Sequence, residues 1–477
     1  MQYLSTRDSA LRVSAQEAIV RGLAPQSGLF VPETFPQADL DAWKNLSYPE
    51  LAEKVLAGFL TDYSADFLHT ATASTYGAAF GGKAGETVKV RDGLYSLELW
   101  HGPTCAFKDY ALQLMPKLLV EAKKMLGRTE TTRILVATSG DTGKAALAGY
   151  ADLDGIEIEV FYPNDGTSEI QHLQMATQKG ENVQVYAVQG NFDDAQTGVK
   201  KVFADADVAA ELEKRGIRLS SANSINWGRL VPQIVYYFYA YFRLAEQGAV
   251  EWGKPVDFCV PTGNFGDILA GYYAKQMGLP VGRLVCASNK NNVLTDFLRT
   301  GTYDARRTFY KTTSPSMDIL ISSNLERLLY HVSGSSEKVA GWMQELSATG
   351  KYTVDAETLA KIQQSFAAGY ADDADGAAEI KARFDGDHYL CDTHTAVAFR
   401  VAETRRTDAP MVVLSTASPF KFPRDVLTAL GEKAALYAAL TAETGAEAPA
   451  SLRELDKLEV RFKTVLQPAD IRTAALR

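Results

Sequence analysis

The sequence has few of the residues that most often bind metals or form disulfides. Its 477 residues include six histidines and four cysteines, Cys105, Cys259, Cys286 and Cys391. The cysteines form no CxxC pair, and no histidine stands at metal-ligand spacing from them. We therefore expect four reduced thiols in a reducing, cytoplasmic compartment, and no metal site.

Positive charge and long apolar runs are also scarce. The formal net charge is -9, which argues against nucleic acid as the main partner, because such binding needs clustered Lys and Arg. The N-terminus lacks the apolar run of a signal peptide, and no stretch of about 18 apolar residues could span a membrane. The closest approach begins at Leu230, and its Pro232, Gln233 and Arg243 indicate a buried core helix instead.

The composition is that of a globular protein with a large core. Hydrophobic residues make up 46% and charged residues 22% of the chain, and the length suggests roughly two to four domains at about 100 to 200 residues each. Residues 1–92 read as a first unit, with helices predicted over Ser14 to Arg21 and Tyr48 to Leu60. The sequence then changes rhythm.

From Arg133 onward, short apolar runs alternate with Gly-rich or polar turns and helices of about 10 to 15 residues. Strands that are apolar almost throughout predict a parallel sheet covered by helices on both faces, an α/β fold. Ligands of such sheets bind beyond the C-terminal ends of the strands. Two stretches, "FAAGYADDADGAAEIKARFDGD" and "TAETGAEAPAS", read as solvated connectors.

The first polar turn lies in "ATSGDTGKAAL". A nucleotide-binding P-loop would need a Gly where Thr138 stands and a Ser or Thr where Ala145 stands, so that interpretation fails. Ser139, Asp141 and Thr142 instead stand at a helix N-terminus that could hold a carboxylate. A simple helix cap made by Ser139 or Asp141 explains the same residues.

The second turn, in "VPTGNFGDILAG", follows another apolar strand. Gly263, Asn264, Phe265 and Gly266 could form a cup in which two glycines let the backbone curl and several N–H groups point at one phosphate. A tight strand-to-helix turn with no ligand is the alternative.

A third turn, in "LSTASPFKF", and one lysine complete the pattern. Ser415 and Thr416 end a strand, where a hydroxyl could bind a ring nitrogen. Lys108, in "HGPTCAFKDYALQ", could become nucleophilic if Phe107 desolvates it, and Asp109 could begin the next helix. A lysine, a phosphate cup and a hydroxyl together are what pyridoxal phosphate requires.

With these motifs in place, the sequence resembles the pyridoxal-phosphate enzymes of the tryptophan-synthase-β fold (fold type II), and within them the bacterial and fungal type of threonine synthase. The resemblance rests on "YLSTR", "GLAPQSGLFVP", "GPTCAFKD", "ATSGDTG", "VPTGNFGD", "SSANSINWGRLVPQIVYYF" and "SPSMDILISSNLERLLY", in that order from Tyr3 to about Pro423. It implies a family-specific N-terminal domain over 1–92, a two-lobed cofactor-binding core over 93–425 with the smaller lobe at about 130–240, and a helical C-terminal segment over 426–477.

The resemblance also implies a role for individual residues. Lys108 would hold the cofactor covalently and later move protons as the catalytic acid and base. Residues implied to bind the cofactor are Lys108, Gly263, Asn264, Phe265, Gly266, Asp141 and Thr416, and those implied to bind substrate are Ser139, Thr142, Asn223, Ser224 and Arg229. Many relatives carry asparagine at the position of Asp141, so an aspartate there would need to be protonated or otherwise placed.

The implied reaction converts O-phospho-L-homoserine and water to L-threonine and phosphate. Asn223, Ser224 and Arg229 could form the pocket for the substrate phosphate, although a surface ion pair of Arg229 explains the same residues. The alternative functions are a related phospho-lyase or dehydratase and a non-catalytic amino-acid sensor. The protein is expected to be a monomer or homodimer.

Three further residues have ordinary explanations as well as functional ones. His394 is expected to begin a helix behind its turn, and Lys83 and Lys290 are as readily solvated side chains as pocket residues.

Overall fold

The N-terminal region combines a small antiparallel sheet with four helices. The computed structural model describes residues 1–164, 166–432 and 437–477. Capping boxes at Ser14 and Ser47 begin the two predicted helices, which are confirmed as α1 and α3. The elements of this region are β1 (Tyr3–Ser5), β2 (Asp8–Val13), α1 (Ala15–Arg21), β3 (Phe30–Pro32), α2 (Leu40–Trp43), α3 (Tyr48–Phe59) and α4 (Ala65–Tyr76).

Strands and helices then alternate, as the sequence predicts. The elements up to residue 246 are β4 (Glu86–Arg91), β5 (Leu94–Glu98), α5 (Asp109–Leu112), α6 (Met115–Met125), β6 (Thr131–Ala137), α7 (Asp141–Tyr150), β7 (Ile156–Pro163), α8 (Glu169–Ala176), β8 (Val183–Val188), α9 (Phe192–Ala204), α10 (Ala206–Lys214), β9 (Ile217–Ser220), α11 (Trp227–Leu230) and α12 (Ile234–Glu246).

The remaining described elements return to the same architecture. They are β10 (Val256–Pro261), α13 (Gly266–Gln276), β11 (Val281–Ser288), α14 (Val293–Thr300), β12 (Thr302–Asp304), α15 (Leu325–Ser333), α16 (Ser336–Thr349), β13 (Lys351–Thr353), α17 (Ala356–Gln363), β14 (Phe366–Tyr370), α18 (Asp373–Asp387), α19 (Thr393–Glu403), β15 (Met411–Ser415), α20 (Pro423–Leu430), α21 (Tyr437–Thr444), α22 (Ala450–Arg453), β16 (Val465–Leu466) and α23 (Ile471–Ala474).

Two sheets form the α/β core. A five-stranded sheet has the order β16-β8-β7-β6-β9 and is parallel throughout. A six-stranded sheet has the order β14-β11-β10-β15-β5-β4 and is parallel except for β4. Most of these strands are buried along most of their length, which explains their nearly unbroken apolar sequence, whereas β4 and β9 are largely at least partly exposed. This is the two-lobed parallel-sheet fold that the sequence predicts.

The sheets cross the predicted domain limits. The limit at residue 92 falls in the turn between β4 and β5, so β4 belongs to the six-stranded sheet. The segment over 426–477 is mostly helical, but it also adds β16 to the five-stranded sheet.

Helix α12 is the segment that comes closest to a membrane span in the sequence. It is 13 residues long and mostly buried within the core, as predicted. In the described parts of the chain, no helix is long and apolar enough to cross a membrane. All four cysteines are buried, unpaired thiols.

One predicted connector is wrong. The stretch "FAAGYADDADGAAEIKARFDGD" forms strand β14 and the 15-residue helix α18, which begins with a capping box between Asp372 and Asp375. Its acidic residues indicated solvent exposure, but here they also begin a helix. The second stretch is partly a connector, since it links α21 to α22.

The N-terminal sheet is fastened to helix α15 of the core. Arg7 forms an ion pair with Glu326 at 2.8 Å, and the hydroxyl of Thr6 donates to the same carboxylate. Arg327, which is fully buried, donates through Nε to the backbone oxygen of Phe30 at 2.9 Å. Charge-assisted hydrogen bonds of this kind hold the N-terminal unit in one position on the core.

Candidate active site

Lys108 lies in a short irregular segment between β5 and α5. Ala106 forms an antiparallel bridge with Ala417, and the N–H of Phe107 donates to the backbone oxygen of Thr416 at 2.8 Å. The Nζ atom of Lys108 lies 5.1 Å from the centre of the Phe107 ring. The structure thus brings the predicted lysine, its predicted apolar neighbour and the third turn together.

The environment of the Lys108 amine favours its neutral form. Burial lowers the pKa of Lys108, and the charges of Arg229 and Lys421 lower it further against the opposing charge of Asp141. Its Nζ donates a long hydrogen bond of 3.4 Å to Ser316 Oγ. An amine that loses its proton more readily is a better nucleophile at neutral pH.

The first turn follows β6 at the start of α7. The hydroxyl of Thr138, rather than either predicted cap, accepts hydrogen bonds from the N–H groups of Gly140 (2.9 Å) and Gly143 (3.0 Å). Ser139 and Thr142 are partly exposed, and neither hydroxyl has a hydrogen-bond partner within the described residues. The helix N-terminus therefore offers two free hydroxyls beside unsatisfied N–H groups, which suits a carboxylate.

Asp141 is an ionised aspartate in a buried ion pair. Its Oδ1 lies 2.7 Å from Lys421 Nζ and accepts a 2.8 Å hydrogen bond from Gln171 Nε2. Burial by itself would raise the pKa of Asp141, but the charges of Lys421 and Lys108 hold it well below its usual value. Lys421 also donates to the backbone oxygen of Thr104 at 3.0 Å. The aspartate is thus placed by a lysine, without being protonated.

The second turn lies between β10 and α13, and its backbone adopts the left-handed conformation at a residue other than glycine. Neither Gly263 nor Gly266 has a positive φ; the left-handed residue is Phe265, with φ of 66°. Gly263 is needed for space, because a Cβ there would lie 3.0 Å from the backbone oxygen of Ser316. None of the N–H groups of residues 263–266 has an acceptor in the described part of the chain, so all four remain free for an anion.

Arg229 lies in α11, and Asn223 and Ser224 lie in the turn that precedes it. Asn223 is exposed, Ser224 is partly buried, and Arg229 is only 3% exposed. Arg229 donates to the backbone oxygen of Ala222, its Nε has no hydrogen-bond partner, and it forms no ion pair with any described residue. Burial lowers the pKa of Arg229 to about 10. The alternative of a surface ion pair is therefore wrong, and an unpaired buried cation is left beside the lysine.

A short segment, residues 322–324, joins the cup to the turn that precedes α11. Ser323 Oγ donates to Asn264 Oδ1 at 3.1 Å and lies 3.2 Å from Ser224 Oγ. The N–H of Asn324 donates to the backbone oxygen of Asn264 at 3.0 Å, and its side-chain oxygen accepts from Arg327. The two candidate anion sites therefore share one hydrogen-bonded support.

The third turn presents one free hydroxyl. Ser415 Oγ accepts from Trp100 Nε1 at 3.1 Å, whereas the hydroxyl of the buried Thr416 has no partner in the portion of the chain that is described. Of the two hydroxyls, that of Thr416 is the one without a described partner, and its contact with a ring nitrogen stays a prediction.

Three family models match the chain in sequence order. The model "Threonine synthase N terminus" matches residues 2–76, "Pyridoxal-phosphate dependent enzyme" matches residues 84–409, and "Threonine synthase, C-terminal" matches residues 395–474. A threonine synthase of Pseudomonas aeruginosa is 40% identical, with 92% of this chain and 93% of that protein covered. The chain belongs to the threonine synthase family.

Other members of the threonine synthase family are similar to this chain over nearly its whole length. A threonine synthase of Schizosaccharomyces pombe is 37% identical over 90% of this chain and 89% of that protein. The solved structure of threonine synthase with bound pyridoxal phosphate from Brucella melitensis has 38% identity and a TM-score of 0.90, covering 100% of this chain and 99% of that one. The chain spans only 60% of the length of the human and macaque proteins called Threonine synthase-like 1, at 39% and 40% identity.

The residues present fit pyridoxal phosphate, the cofactor of the threonine synthase family. The cup over 263–266 offers free N–H groups to a phosphate. A side chain on Gly263 would crowd this turn, because its Cβ would lie 3.0 Å from the backbone oxygen of Ser316. Lys108 offers an amine with a lowered pKa, and Thr416 offers a free hydroxyl. This donor set matches an aldehyde, a phosphate and a ring nitrogen.

The sequence analysis assigns no role to several residues that lie at the site. Lys421 stands in the quoted "SPFKF", Ser316 in "SPSMD" and residues 323–324 in "ISSNL", but only the fold brings them to Lys108 or the cup. Of the residues left without a role, Lys83 and Lys290 are exposed, whereas His394 is buried.

Proposed function

We propose that this chain converts O-phospho-L-homoserine and water to L-threonine and inorganic phosphate with pyridoxal phosphate as cofactor. The observation that carries the proposal is the pair of anion sites that flank Lys108, the cup over 263–266 and the pocket of Arg229. One phosphate belongs to the cofactor. A second site is needed only when the substrate carries a phosphate of its own.

Different side chains bind different groups of the substrate. Arg229, with Asn223 and Ser224, binds the departing phosphate, since a guanidinium offers two parallel N–H donors to a phosphate. Ser139 and Thr142, at the N-terminus of α7, bind the substrate carboxylate. These contacts hold the substrate at its carboxylate and at its phosphate, with the reacting carbons between them.

Lys108 moves the protons. Bound pyridoxal phosphate supplies an electron sink for the carbanions that form next to it. Lys108 Nζ removes the proton from Cα and then from Cβ, phosphate leaves from Cγ, and the same amine returns a proton to Cγ. Water then adds its hydroxyl at Cβ, and a proton returns to Cα to complete threonine. The lowered pKa of Lys108 suits this exchange, because burial makes the charged amine give up its proton more readily than an exposed lysine does. Thr416 binds the ring nitrogen, and Asp141 the ring hydroxyl.

The decisive experiment combines a spectrum with product analysis. Purified protein is expected to show the visible absorbance of lysine-bound pyridoxal phosphate, and Lys108→Ala to lose it. Phosphohomoserine should yield threonine and phosphate in equal amounts. If 2-oxobutanoate were the main product, the chain would be a phospho-lyase, and a protein that binds no cofactor would be a sensor.

Substitution of Arg229 tests the second anion site. Arg229→Ala should keep the cofactor absorbance and lose about 2 to 5 kcal/mol of transition-state stabilisation, roughly 30-fold to several-thousand-fold in kcat/KM, because a desolvated charge pair is lost. Lys290→Ala, which removes an exposed amine stacked on Tyr310, is the control and should leave kcat/KM unchanged. Equal kinetics in Arg229→Ala and the control would remove Arg229 from the substrate pocket.

A further proposal concerns the cellular compartment of the enzyme, its partners and its oligomeric state. We propose a cytoplasmic protein that binds no nucleic acid or membrane, which its net charge of -9 and its four unpaired cysteines support. We also propose that it acts as a monomer or homodimer. Light scattering of the purified protein gives the number of chains in the assembly.

A further inference from the structure

His394 lies at the start of α19, buried between a carboxylate and a turn. Its Nδ1 is 2.7 Å from Asp392 Oδ2, and its Nε2 accepts a hydrogen bond from the N–H of Ser316 at 3.1 Å. Because Nε2 accepts, Nδ1 carries the proton and donates to Asp392, which makes the ring neutral and fixes its orientation. The ring therefore joins the N-cap residue of its own helix to the backbone of Ser316, 78 positions away.

Ser316, which His394 holds, contacts two parts of the active site. Its Oγ accepts from Lys108 Nζ at 3.4 Å, the one hydrogen bond that the amine makes within the described residues. Its backbone oxygen stands where a Cβ on Gly263 would come within 3.0 Å. The position of this one residue thus affects both the lysine and the phosphate cup.

The turn around Ser316 is anchored at its two ends by other residues. Asn289 Nδ2 donates to Thr312 Oγ1 at 2.9 Å, to Ser314 Oγ at 3.0 Å and to Asp318 Oδ1 at 2.8 Å. None of these bonds reaches Ser316. In the part of the chain that the structure describes, the N–H of Ser316 has His394 alone as acceptor.

We propose that His394, oriented by Asp392, is a positioning residue that sets the hydroxyl of Ser316 against Lys108 and so raises the proton affinity of the lysine amine. Ser316 Oγ accepts a hydrogen bond from the charged amine, which stabilises the protonated form. The other charged groups that act on Lys108 are Asp141, Asp267, Arg229 and Lys421. No described hydrogen bond joins any of them to His394 or Ser316. The proposal rests on the proposed role of Lys108.

The test measures the lysine amine before any turnover. Cofactor-free protein is mixed with pyridoxal phosphate, and the rate at which the visible absorbance appears is followed against pH, since only the neutral amine reacts. Lys108→Ala identifies the part of the signal that comes from this lysine. Ser316→Ala and His394→Leu should each lower the pH midpoint by about half a unit to one unit, as expected for loss of one long hydrogen bond to a charged group.

Two further variants separate positioning from a general structural role. His394→Gln places an amide oxygen near the position of Nε2 and should recover most of the wild-type midpoint. His331→Gln removes a histidine that is bonded to Tyr273 (2.6 Å) and has no described hydrogen bond to Ser316 or Lys108, and should lower the melting temperature without moving the midpoint. The double variant of Ser316→Ala and His394→Leu should shift no further than Ser316→Ala alone.

The outcomes are distinct. If His394→Leu lowers the melting temperature but leaves the midpoint at the wild-type value, the proposal is overturned. An unshifted midpoint in Ser316→Ala overturns it too, and this variant removes a single oxygen, so it serves even when His394→Leu does not fold. A wild-type chain that captures no pyridoxal phosphate overturns the proposed function as well, whereas unshifted variants of a chain that does capture it overturn this inference alone.

Discussion

The ion pair between Asp141 and Lys421 gives a sharp prediction about stability. The two atoms are 2.7 Å apart, and the side chains are 4% and 0% exposed. Lys421→Met keeps most of the volume of the side chain and removes its charge. The aspartate is then left with Gln171 and the more distant Lys108 as its partners.

The expected loss follows from the burial of the pair. Removing one partner of a buried ion pair costs about 3 to 5 kcal/mol, because the other charge remains without compensation. The cost should depend on pH. In the wild type, the depressed pKa of Asp141 contributes stability that is present above the unfolded pKa of about 3.9, and that is lost as pH falls through the folded pKa. In the variant, we expect burial to outweigh the charge of Lys108 and the hydrogen bond from Gln171 and to raise the pKa of Asp141, so stability falls as pH rises.

Urea unfolding of the cofactor-free protein at pH 5 and pH 8 measures both effects. Lys421→Met should be less stable than wild type at both values, with the larger deficit at pH 8. The double variant Asp141→Asn with Lys421→Met should recover at least about half of the loss, because no unpaired charge remains. The reasoning fails if Lys421→Met matches wild type at pH 8, or if the double variant is no more stable than Lys421→Met.

Two further predictions concern the cup and the five-stranded sheet. Gly263→Ala would place a Cβ 3.0 Å from the backbone oxygen of Ser316. We expect it to weaken pyridoxal phosphate binding by at least about tenfold, measured by an absorbance titration. The control Gly341→Ala, where the added Cβ meets open space, should bind the cofactor as the wild type does. Burial raises the pKa of Glu159 from 4.5 to about 7, against the opposing charge of Arg133, so the folded chain holds a proton that the unfolded chain releases above pH 4.5. The free energy of unfolding of the wild type should therefore fall between pH 4.5 and 7. Glu159→Gln lacks this loss, so at pH 8 its free energy of unfolding, compared with that of the wild type, should rise by up to about 3 kcal/mol, with a smaller rise at pH 5. If the free energies of unfolding of the two proteins changed equally between pH 5 and pH 8, the prediction would be wrong.

The sequence predicts the site residues that short local motifs identify. Thr416 and the residues of the cup each follow a buried strand directly, and parallel strands bring such turns to one edge of the core. Lys108 stood out because of its apolar and turn-forming neighbours. Short-range pattern and the geometry of parallel sheets were sufficient for these residues.

The residues that the sequence does not predict act through long-range contacts. Lys421 is 280 positions from Asp141 along the chain, and nothing near "SPFKF" indicates an acidic partner. His394 was interpreted as an ordinary helix start, which is correct for its backbone, but its ring contacts Ser316, 78 positions away. Phe265 adopts the left-handed conformation expected of a neighbouring glycine, since the packing of its buried ring against Phe366 can offset the strain.

The contacts of Arg327 define what the catalytic unit is. This side chain binds the backbone of Phe30 in the N-terminal sheet, Asn324 beside the cup, and Ile225 beside Arg229. A chimera that exchanged the N-terminal segment between two relatives would therefore exchange part of the support of both anion sites. For anyone who redesigns or shortens this protein, the smallest transferable catalytic module begins near Tyr3 and not at the first strand of the core.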